Sequence, residues 1–158
     1  MERTFAMLKP DAIQRRLVGK ILTRIEEKGL RIAGLKFTQL SRAKAEQLYA
    51  IHKGRPFYDG LVAFVSSSPV VVMALEGVEA IKIWRTLMGG VANKTSGREA
   101  ENGSIRGDYG MSKGFNLVHG SDSPESAAKE IPLFFTNEEL VGWRAGDEAW
   151  VYEGPERG

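Results

Sequence analysis

The chain has 158 residues, 42% of them apolar, which suffices for one domain with a hydrophobic core and is too short for two. Its 22 Lys and Arg nearly balance 20 Asp and Glu, so composition does not argue for a nucleic-acid or membrane partner. The absence of cysteine excludes disulfides, thiolate nucleophiles and cysteine-based zinc sites. No signal-peptide core is visible, and the longest apolar run, Val70 to Leu75, is too short to cross a membrane. We therefore expect a cytoplasmic protein.

Apolar spacing and turn residues predict a regular order of elements along the chain. Strands are predicted over 4–8, 30–37, 70–75 and 117–118, and helices over 17–28, 41–49, 57–65, 80–88 and 123–134. Asp11 with Gln14 resembles a capping box that opens a helix after the first strand. Gly34 predicts a bulge in the second strand, and Ser41 is expected to cap the helix that follows it.

This order predicts a ferredoxin-like α/β sandwich, in which a four-stranded antiparallel sheet carries helices packed on one face. The uninterrupted apolar run 70–75 predicts a central strand that is covered on both faces. We expect residues 1–158 to form one domain, with 137–158 as an irregular tail anchored by Trp143, Trp150 and Tyr152. Residues 91–104 show no periodicity, and loops of this length are commonly functional or mobile.

His119, one of two histidines, follows the last predicted strand close to a predicted helix N-terminus. Backbone N–H groups and the helix dipole at such a position keep an imidazole neutral and attract anions. A neutral ring nitrogen beside a bound phosphate is a good nucleophile. On this local pattern alone, a solvated histidine at a turn is the commoner outcome, so the interpretation stays open.

Three cations from separate segments suit a phosphate: Lys9 at a strand end, Arg85 in the last turn of a helix, and Arg106 after the polar loop. Each alone is more commonly a solvated surface charge. Phe57 would offer a nucleotide base a flat face, although buried packing is the commoner role of such a residue. We expect His52 at the surface.

Four segments resemble signatures of the nucleoside diphosphate kinase family and occur in that family's order. They are ERTFAMLKPDA (2–12), HKGRPFYDGLVAFVSSSPVVVMALEG (52–77), SIRGDYG (104–110) and NLVHGSDSPESAAKEI (116–131). The last surrounds the family's phosphorylated histidine. The resemblance implies a ferredoxin-like core and a ping-pong transfer of the terminal phosphate from a nucleoside triphosphate to a nucleoside diphosphate. His119 would carry the phosphate between the two half-reactions.

The resemblance also implies which residues act with His119 in catalysis. Lys9 would bind the phosphate and a sugar hydroxyl, Tyr49 would support the transferring group, and Glu130 would orient the imidazole ring. This division of roles among binding and orienting residues is typical of phosphoryl transfer, in which positioning and charge neutralisation supply most of the catalysis.

Nucleotide binding is implied for four further residues. Phe57 would stack on the base, Asn116 would bind the ribose, and Arg85 and Arg106 would hold phosphates. Mg²⁺ would ride on the nucleotide phosphates, with Asp122 touching it at most through water, so no metal site made of protein ligands is expected. Stacking on one aromatic face predicts little discrimination between bases.

The sequence departs from the family in the polar loop. A threonine whose hydroxyl reaches the phosphates normally stands six positions after the arginine, and here that position is Val91. Either Thr95 or a backbone N–H takes over after a shift of the loop, or nucleotide binding is weaker by about 1 kcal/mol. Phe115 is a smaller departure, since the family often has a basic residue before the asparagine.

Partners follow from the resemblance as well: nucleoside di- and triphosphates, and further copies of the chain. Members with a tail like ELVGWRAGDEAWVYE are commonly hexamers, so a hexamer is favoured over a tetramer. No membrane and no specific nucleic acid is expected. The alternative function is a nucleotide-binding regulatory module with reduced or no turnover. An RNA-binding ferredoxin-like domain would need exposed sheet aromatics beside a basic patch, and the sequence shows neither.

Overall fold

The computed structural model describes residues 1–90 and 94–157. The strands are β1 Glu2–Leu8, β2 Arg31–Thr38, β3 Val70–Gly77 and β4 Val118–Gly120. The α-helices are α1 Pro10–Gln14, α2 Val18–Glu27, α3 Arg42–Leu48, α4 Tyr58–Ser66, α5 Ala80–Met88, α6 Ile105–Tyr109, α7 Pro124–Phe134 and α8 Glu148–Val151. Short 3₁₀ helices span Ala50–His52, Asn137–Glu139 and Gly154–Glu156.

The strands form one antiparallel sheet in the order β2-β3-β1-β4, which confirms the ferredoxin-like fold. Met7 of β1 stands between Val72 of β3 and His119 of β4. The register of β2 against β3 shifts between Ile32 and Gly34, so the predicted glycine bulge is present. His119 therefore lies on the edge strand β4, which is held to the sheet by its pairing with β1.

Helices cover both faces of the sheet, so the expectation of one covered face was wrong. Alternate residues of β1 point to opposite sides, and each side has its own core. Phe5 and Met7 belong to the core beneath α3, α4 and α7, whereas Ala6 and Leu8 belong to the core beneath α2 and α5. The fully buried β3 borders both cores, as its unbroken apolar run predicted.

Local signals at element ends were correct in some places and wrong in others. The Ser41 side chain caps α3 by accepting from the N–H of Lys44. The capping box at the start of α1 is absent, because the Asp11 carboxylate accepts from the distant N–H of Leu117 instead. Helix α6 was not predicted, since its five residues are too few to show a helical period, although Ser104 caps it.

The C-terminal tail lies against the end of α2 and the bulged strand β2. The Tyr152 hydroxyl donates to the carbonyl of Gly29, and the Trp143 indole N–H donates to the carbonyl of Ile32. Trp150 is 90% exposed, so its prediction as an anchor was wrong. Over the described ranges, no helix is long and apolar enough to cross a membrane.

Candidate active site

A cavity of about 710 Å³ opens above the β1–β4 side of the sheet. The predicted site residues that line it are Lys9, Tyr49, Phe57, Asn116 and His119. Other lining residues include His52, Leu61, Phe64, Thr95, Lys113 and Phe115. The cavity therefore joins residues that are distant in sequence, with apolar side chains at one end and polar groups at the other.

His119 lies within β4, four residues before the Ser123 cap of helix α7, and not at the mouth of that helix as expected. Its main chain pairs with Met7, and its carbonyl accepts from the Trp84 indole N–H at 3.2 Å. A Cβ at Gly120 would overlap the Trp84 ring, so glycine is required for this close approach. Strand pairing and Trp84 together hold the His119 backbone rigidly.

The imidazole of His119 is oriented from helix α7. Its Nε2 lies 3.1 Å from Oε2 of Glu130, and the Ser121 hydroxyl donates to the same oxygen at 2.8 Å. An ionised Glu130 can only accept, so the neutral imidazole carries its proton on Nε2. The lone pair of a neutral His119 then lies on Nδ1, which is the arrangement that a nucleophilic histidine needs.

Tyr49 packs edge-on against the His119 ring, with 5.5 Å between the ring centroids. Its hydroxyl is buried and has no hydrogen-bond partner among the described residues. Burial raises the pKa of Tyr49, with a smaller contribution from the Glu130 carboxylate, so the phenol keeps its proton. An unsatisfied donor at the cavity wall is suited to an anionic oxygen of a ligand.

Lys9 and Arg106 form a buried cationic cluster at the end of β1. Lys9 Nζ donates to Oδ1 of Asn116 at 2.8 Å, and Arg106 donates to the carbonyls of Asn116, Val118 and Gly89. Burial, followed by the charge of Arg106, lowers the pKa of Lys9 to about 8. Burial likewise lowers the pKa of Arg106 to about 10. Both charges would be stabilised by an anion.

Arg85 approaches this cluster from helix α5. It donates to the carbonyl of Gly90 at 3.2 Å, and a Cβ at Gly90 would lie 3.3 Å from Arg85 Nη2 and 3.4 Å from Arg106 Nη1. The hydrogen bond from Ser126 chiefly lowers the pKa of Asp122, and the charge of Arg85 adds to this effect. The positive charge therefore continues from Lys9 to the neighbourhood of His119.

Aromatic rings form the opposite end of the cavity. Phe57 is 53% exposed, and its ring contacts His52 edge-on at 5.3 Å, while Phe64 and Phe115 pack together at 4.7 Å. His52 also lies 6.2 Å from the Tyr49 ring, so its prediction as a plain surface residue was wrong. The exposed face of Phe57 is available to a planar ligand.

The polar loop reaches the site through Thr95, which lines the cavity. Its carbonyl accepts from Asn116 Nδ2 at 3.0 Å, and the Gly97 N–H donates to the carbonyl of Ser112. Val91, the position at which the departure from the family was noted, lies outside the described residues. Of the two predicted substitutes for the missing hydroxyl, Thr95 is at the cavity.

Within residues 1–90 and 94–157, no group of three or more His, Asp or Glu could hold a metal ion. Asp122 is a single carboxylate beside His119, and its Oδ1 already accepts from the Ser126 hydroxyl. This donor set suits a cation that arrives with most of its ligands on another molecule, as Mg²⁺ on phosphates does.

The profile of the nucleoside diphosphate kinase family matches residues 2–140. The chain belongs to this family. The Archaeoglobus fulgidus nucleoside diphosphate kinase is 50% identical over 153 residues, and the match covers 97% of this chain and 99% of the relative. The Carboxydothermus hydrogenoformans enzyme is 51% identical and is matched over its full length. The Halobacterium salinarum nucleoside diphosphate kinase in complex with CDP superposes with a TM-score of 0.91 at 48% identity, covering 96% of this chain and 99% of that chain.

Five of the residues that the nucleoside diphosphate kinase signatures predicted line this cavity, and the structure adds residues that the sequence did not single out. Ser121 shares Glu130 with His119, and His52 and Phe64 line the aromatic end. The one signal for Ser121 in the sequence was its spacing: it stands two residues after His119, and alternate residues of an extended chain point to the same side. Nothing in the sequence indicated the contacts of His52.

Proposed function

We propose that His119 carries the phosphate in the ping-pong reaction of a nucleoside diphosphate kinase. Members of this family transfer the terminal phosphate of a nucleoside triphosphate to a nucleoside diphosphate, and membership makes this protein a phosphotransferase. The observation that supports His119 is its ring geometry: Nε2 is held by Glu130, and the ring lies at the wall of the cavity. The alternative, binding without turnover, has no comparable support, because the whole predicted residue set is present.

In the first half-reaction, Nδ1 of His119 attacks the terminal phosphorus, and the bond from that phosphorus to the bridging oxygen breaks. The nucleoside diphosphate leaves with the bonding electrons. The Nε2 proton stays in the hydrogen bond to Glu130, whose charge stabilises the ring as it becomes electron-poor. The second half-reaction is the reverse, with another nucleoside diphosphate as acceptor.

The cationic cluster neutralises the phosphates during transfer. Lys9, Arg85 and Arg106 converge from three segments, and the Tyr49 hydroxyl adds a neutral donor beside the imidazole. Because these groups are buried or half-buried and already held by neighbours, they need little reorganisation when charge develops.

The remaining cavity holds the nucleoside. Asn116 binds the ribose with the help of Lys9, to which its Oδ1 is already bonded. Phe57 stacks on the base, and since every base has a flat face, we expect acceptance of several bases. Thr95 takes the place of the threonine expected at position 91, because it lines the cavity next to Asn116.

Mg²⁺ would be carried on the nucleotide phosphates, where it would neutralise part of their charge. Asp122 is the residue of this chain that would meet it, through water. A divalent cation with few protein ligands is usual for nucleotide enzymes.

From the resemblance we further propose a hexamer in the cytoplasm. Leu35 and Phe37 of the edge strand β2 are exposed, and this apolar surface is available for contact with other copies of the chain. Light scattering of the purified chain measures the assembly, and a monomer or tetramer would contradict the hexamer.

Incubation with terminally labelled nucleoside triphosphate and Mg²⁺ tests the reaction. Wild type should form an acid-labile phosphoprotein, and a chase with nucleoside diphosphate should release the label as triphosphate. His119→Ala should take up no label. The matched control is His52→Ala, which removes the other histidine from the same cavity and should keep the label. A wild type that binds nucleotide but takes up no label would establish the alternative.

A further inference from the structure

Leu117, two residues before His119, has an unusual backbone. Its φ is +72°, a conformation that bulky side chains rarely adopt. The Val118 N–H donates to the carbonyl of Asn116 at 2.8 Å, which closes a three-residue γ-turn around Leu117. Glycine would take this conformation without strain, but the Leu117 side chain is fully buried in the core beneath α2 and α5. The turn therefore depends on external support.

That support comes from both sides of the turn. Arg106 donates to the carbonyls of Asn116 and Val118, which are the two ends of the turn. On the other side, Asp11 Oδ2 accepts from the Leu117 N–H at 3.0 Å, and the Leu117 carbonyl accepts from the Lys9 N–H at 2.8 Å. These bonds account for the polar main-chain groups of Leu117.

Asp11 is otherwise poorly placed for a carboxylate. Its Oδ1 is buried and has no partner among the described residues, and burial raises its pKa. A buried carboxylate with an unsatisfied oxygen destabilises the fold, so its retention calls for another role. Asp11 holds a turn that begins at Asn116 and is followed by His119. These two residues are the ones that the proposed function needs at the cavity.

We infer that Asp11 is a positioning residue, whose carboxylate holds Leu117 in the left-handed turn that presents Asn116 and His119 to the nucleotide. The inference rests on the proposed phosphohistidine reaction. In this role Asp11 acts through the main chain of Leu117 and does not contact the substrate.

Two phosphoryl donors separate positioning from reactivity. A nucleoside triphosphate must be bound and aligned, whereas phosphoramidate reacts with a histidine nitrogen by losing ammonia and needs no nucleotide site. Asp11→Ala should lower the rate of His119 labelling from triphosphate about 100-fold, the usual result of a misplacement of about 1 Å. Its labelling from phosphoramidate should stay within about threefold of wild type, as for a change that leaves the nucleophile intact.

Asp11→Asn and Gln14→Ala serve as controls. The asparagine oxygen can still accept from the Leu117 N–H, so Asp11→Asn should label from triphosphate within about threefold of wild type. Gln14 lies on the same helix, and its side chain donates to the distant Ser68 hydroxyl, so its loss tests general loosening of α1. Thermal unfolding of every variant shows that each is folded at the assay temperature.

Three results would overturn the inference. In the first, Asp11→Ala labels from triphosphate as fast as wild type. In the second, both donors slow equally, so that the role is structural. In the third, Asp11→Asn is as slow as Asp11→Ala, and the loss relative to wild type grows as the pH rises toward about 8 and then levels off, so that Asp11 acts by keeping Lys9 protonated. A wild type that neither donor labels would instead refute the proposed function.

Discussion

Charged side chains are buried at both ends of β1, and the two ends differ in how the charge is balanced. At the start of the strand, Arg3 and Arg31 share the buried carboxylate of Glu76. At the other end, Lys9 and Arg106 donate to amide and carbonyl oxygens, and neither has an ion pair within the described parts of the chain. At one end a buried carboxylate of the chain pairs with the arginines, whereas at the other the cations make no ion pair among the described residues and are left for a ligand.

The pKa values show the consequence of this difference. Burial, followed by the charge of Arg106, lowers the pKa of Lys9 to about 8, and burial, followed by the charge of Arg85, lowers that of Arg106 to about 10, although the Asp11 carboxylate opposes both shifts. Desolvated cations of this kind reduce the free energy of unfolding and bind an anion strongly, because little water has to be removed. We therefore expect substitutions at the Glu76 end of β1 to alter stability, and substitutions at the Lys9 end to alter nucleotide binding.

The largest effect is expected at the end that holds the ion pairs. Glu76→Gln leaves Arg31, whose side chain is 11% exposed, without its counter-charge, so the free energy of unfolding should fall by about 3 kcal/mol, as when one partner of a buried ion pair is removed. The rate of His119 labelling should not change at a temperature where the variant is folded. Urea unfolding measures the first quantity. A loss below about 1 kcal/mol, the value of an exposed ion pair, would show that the triad does not act as a buried one.

The next largest effect is expected when a carboxylate is introduced at the Lys9 end, so that this end resembles the Glu76 end. Asn116→Asp places a carboxylate 2.8 Å from Lys9 Nζ, where the amide oxygen now lies. The dissociation constant for a nucleoside diphosphate, measured by calorimetry, should rise about 100-fold, which is about 2.7 kcal/mol. Asn116→Ala removes the same amide without adding charge and should have the smaller effect. Equal losses in the two variants would refute the role of uncompensated charge.

A smaller effect is expected from pH. The proposed binding of phosphate by Lys9 requires its protonated form, so kcat/KM should fall with rising pH, approaching tenfold per pH unit, above the Lys9 pKa of about 8. Lys9→Arg keeps its charge and should lack this break. Stability should change in the opposite direction: between pH 8 and 10.5 the unfolded chain binds more protons at Lys9 than the folded one, so stability rises with pH there. A kcat/KM that stays flat to pH about 9 would contradict the lowered pKa.

The smallest effect is expected for an ion pair at the surface, which serves as the reference for the contribution of the buried charges to stability. Arg42 pairs with Glu46 on the surface of α3, where both side chains are largely exposed. Arg42→Ala should lower the free energy of unfolding by about 0.3–0.5 kcal/mol in a urea titration. A loss as large as that of Glu76→Gln would show that burial does not determine the contribution of an ion pair in this protein.

Local sequence signals predicted those elements whose stability depends on near neighbours. The helical period of α2 and α5, the cap at Ser41 and the unbroken apolar run of β3 each express a rule that acts within a few residues. Helix α6 was missed for the same reason, because it is shorter than the window in which a period is visible.

The site was less accessible to sequence reasoning because its defining contacts join distant segments. Asp11 was interpreted as part of a capping box, although it bonds Leu117 across 106 positions. Trp150 was expected to anchor the tail but is exposed, whereas Tyr152 nearby makes the contact. An aromatic or acidic residue in isolation carries no information about which of several available partners it will meet.

By itself, the sequence determined the fold class and the family, because periodicity, turn residues and four ordered signatures are properties of contiguous residues. It also pointed to His119 through the signature around it. Only the tertiary structure decided that Glu130 holds Nε2, that Lys9 and Arg106 are buried and make no ion pair among the described residues, and that Thr95 reaches the cavity. Those facts depend on sheet pairing and burial, which bring together residues that no local pattern connects.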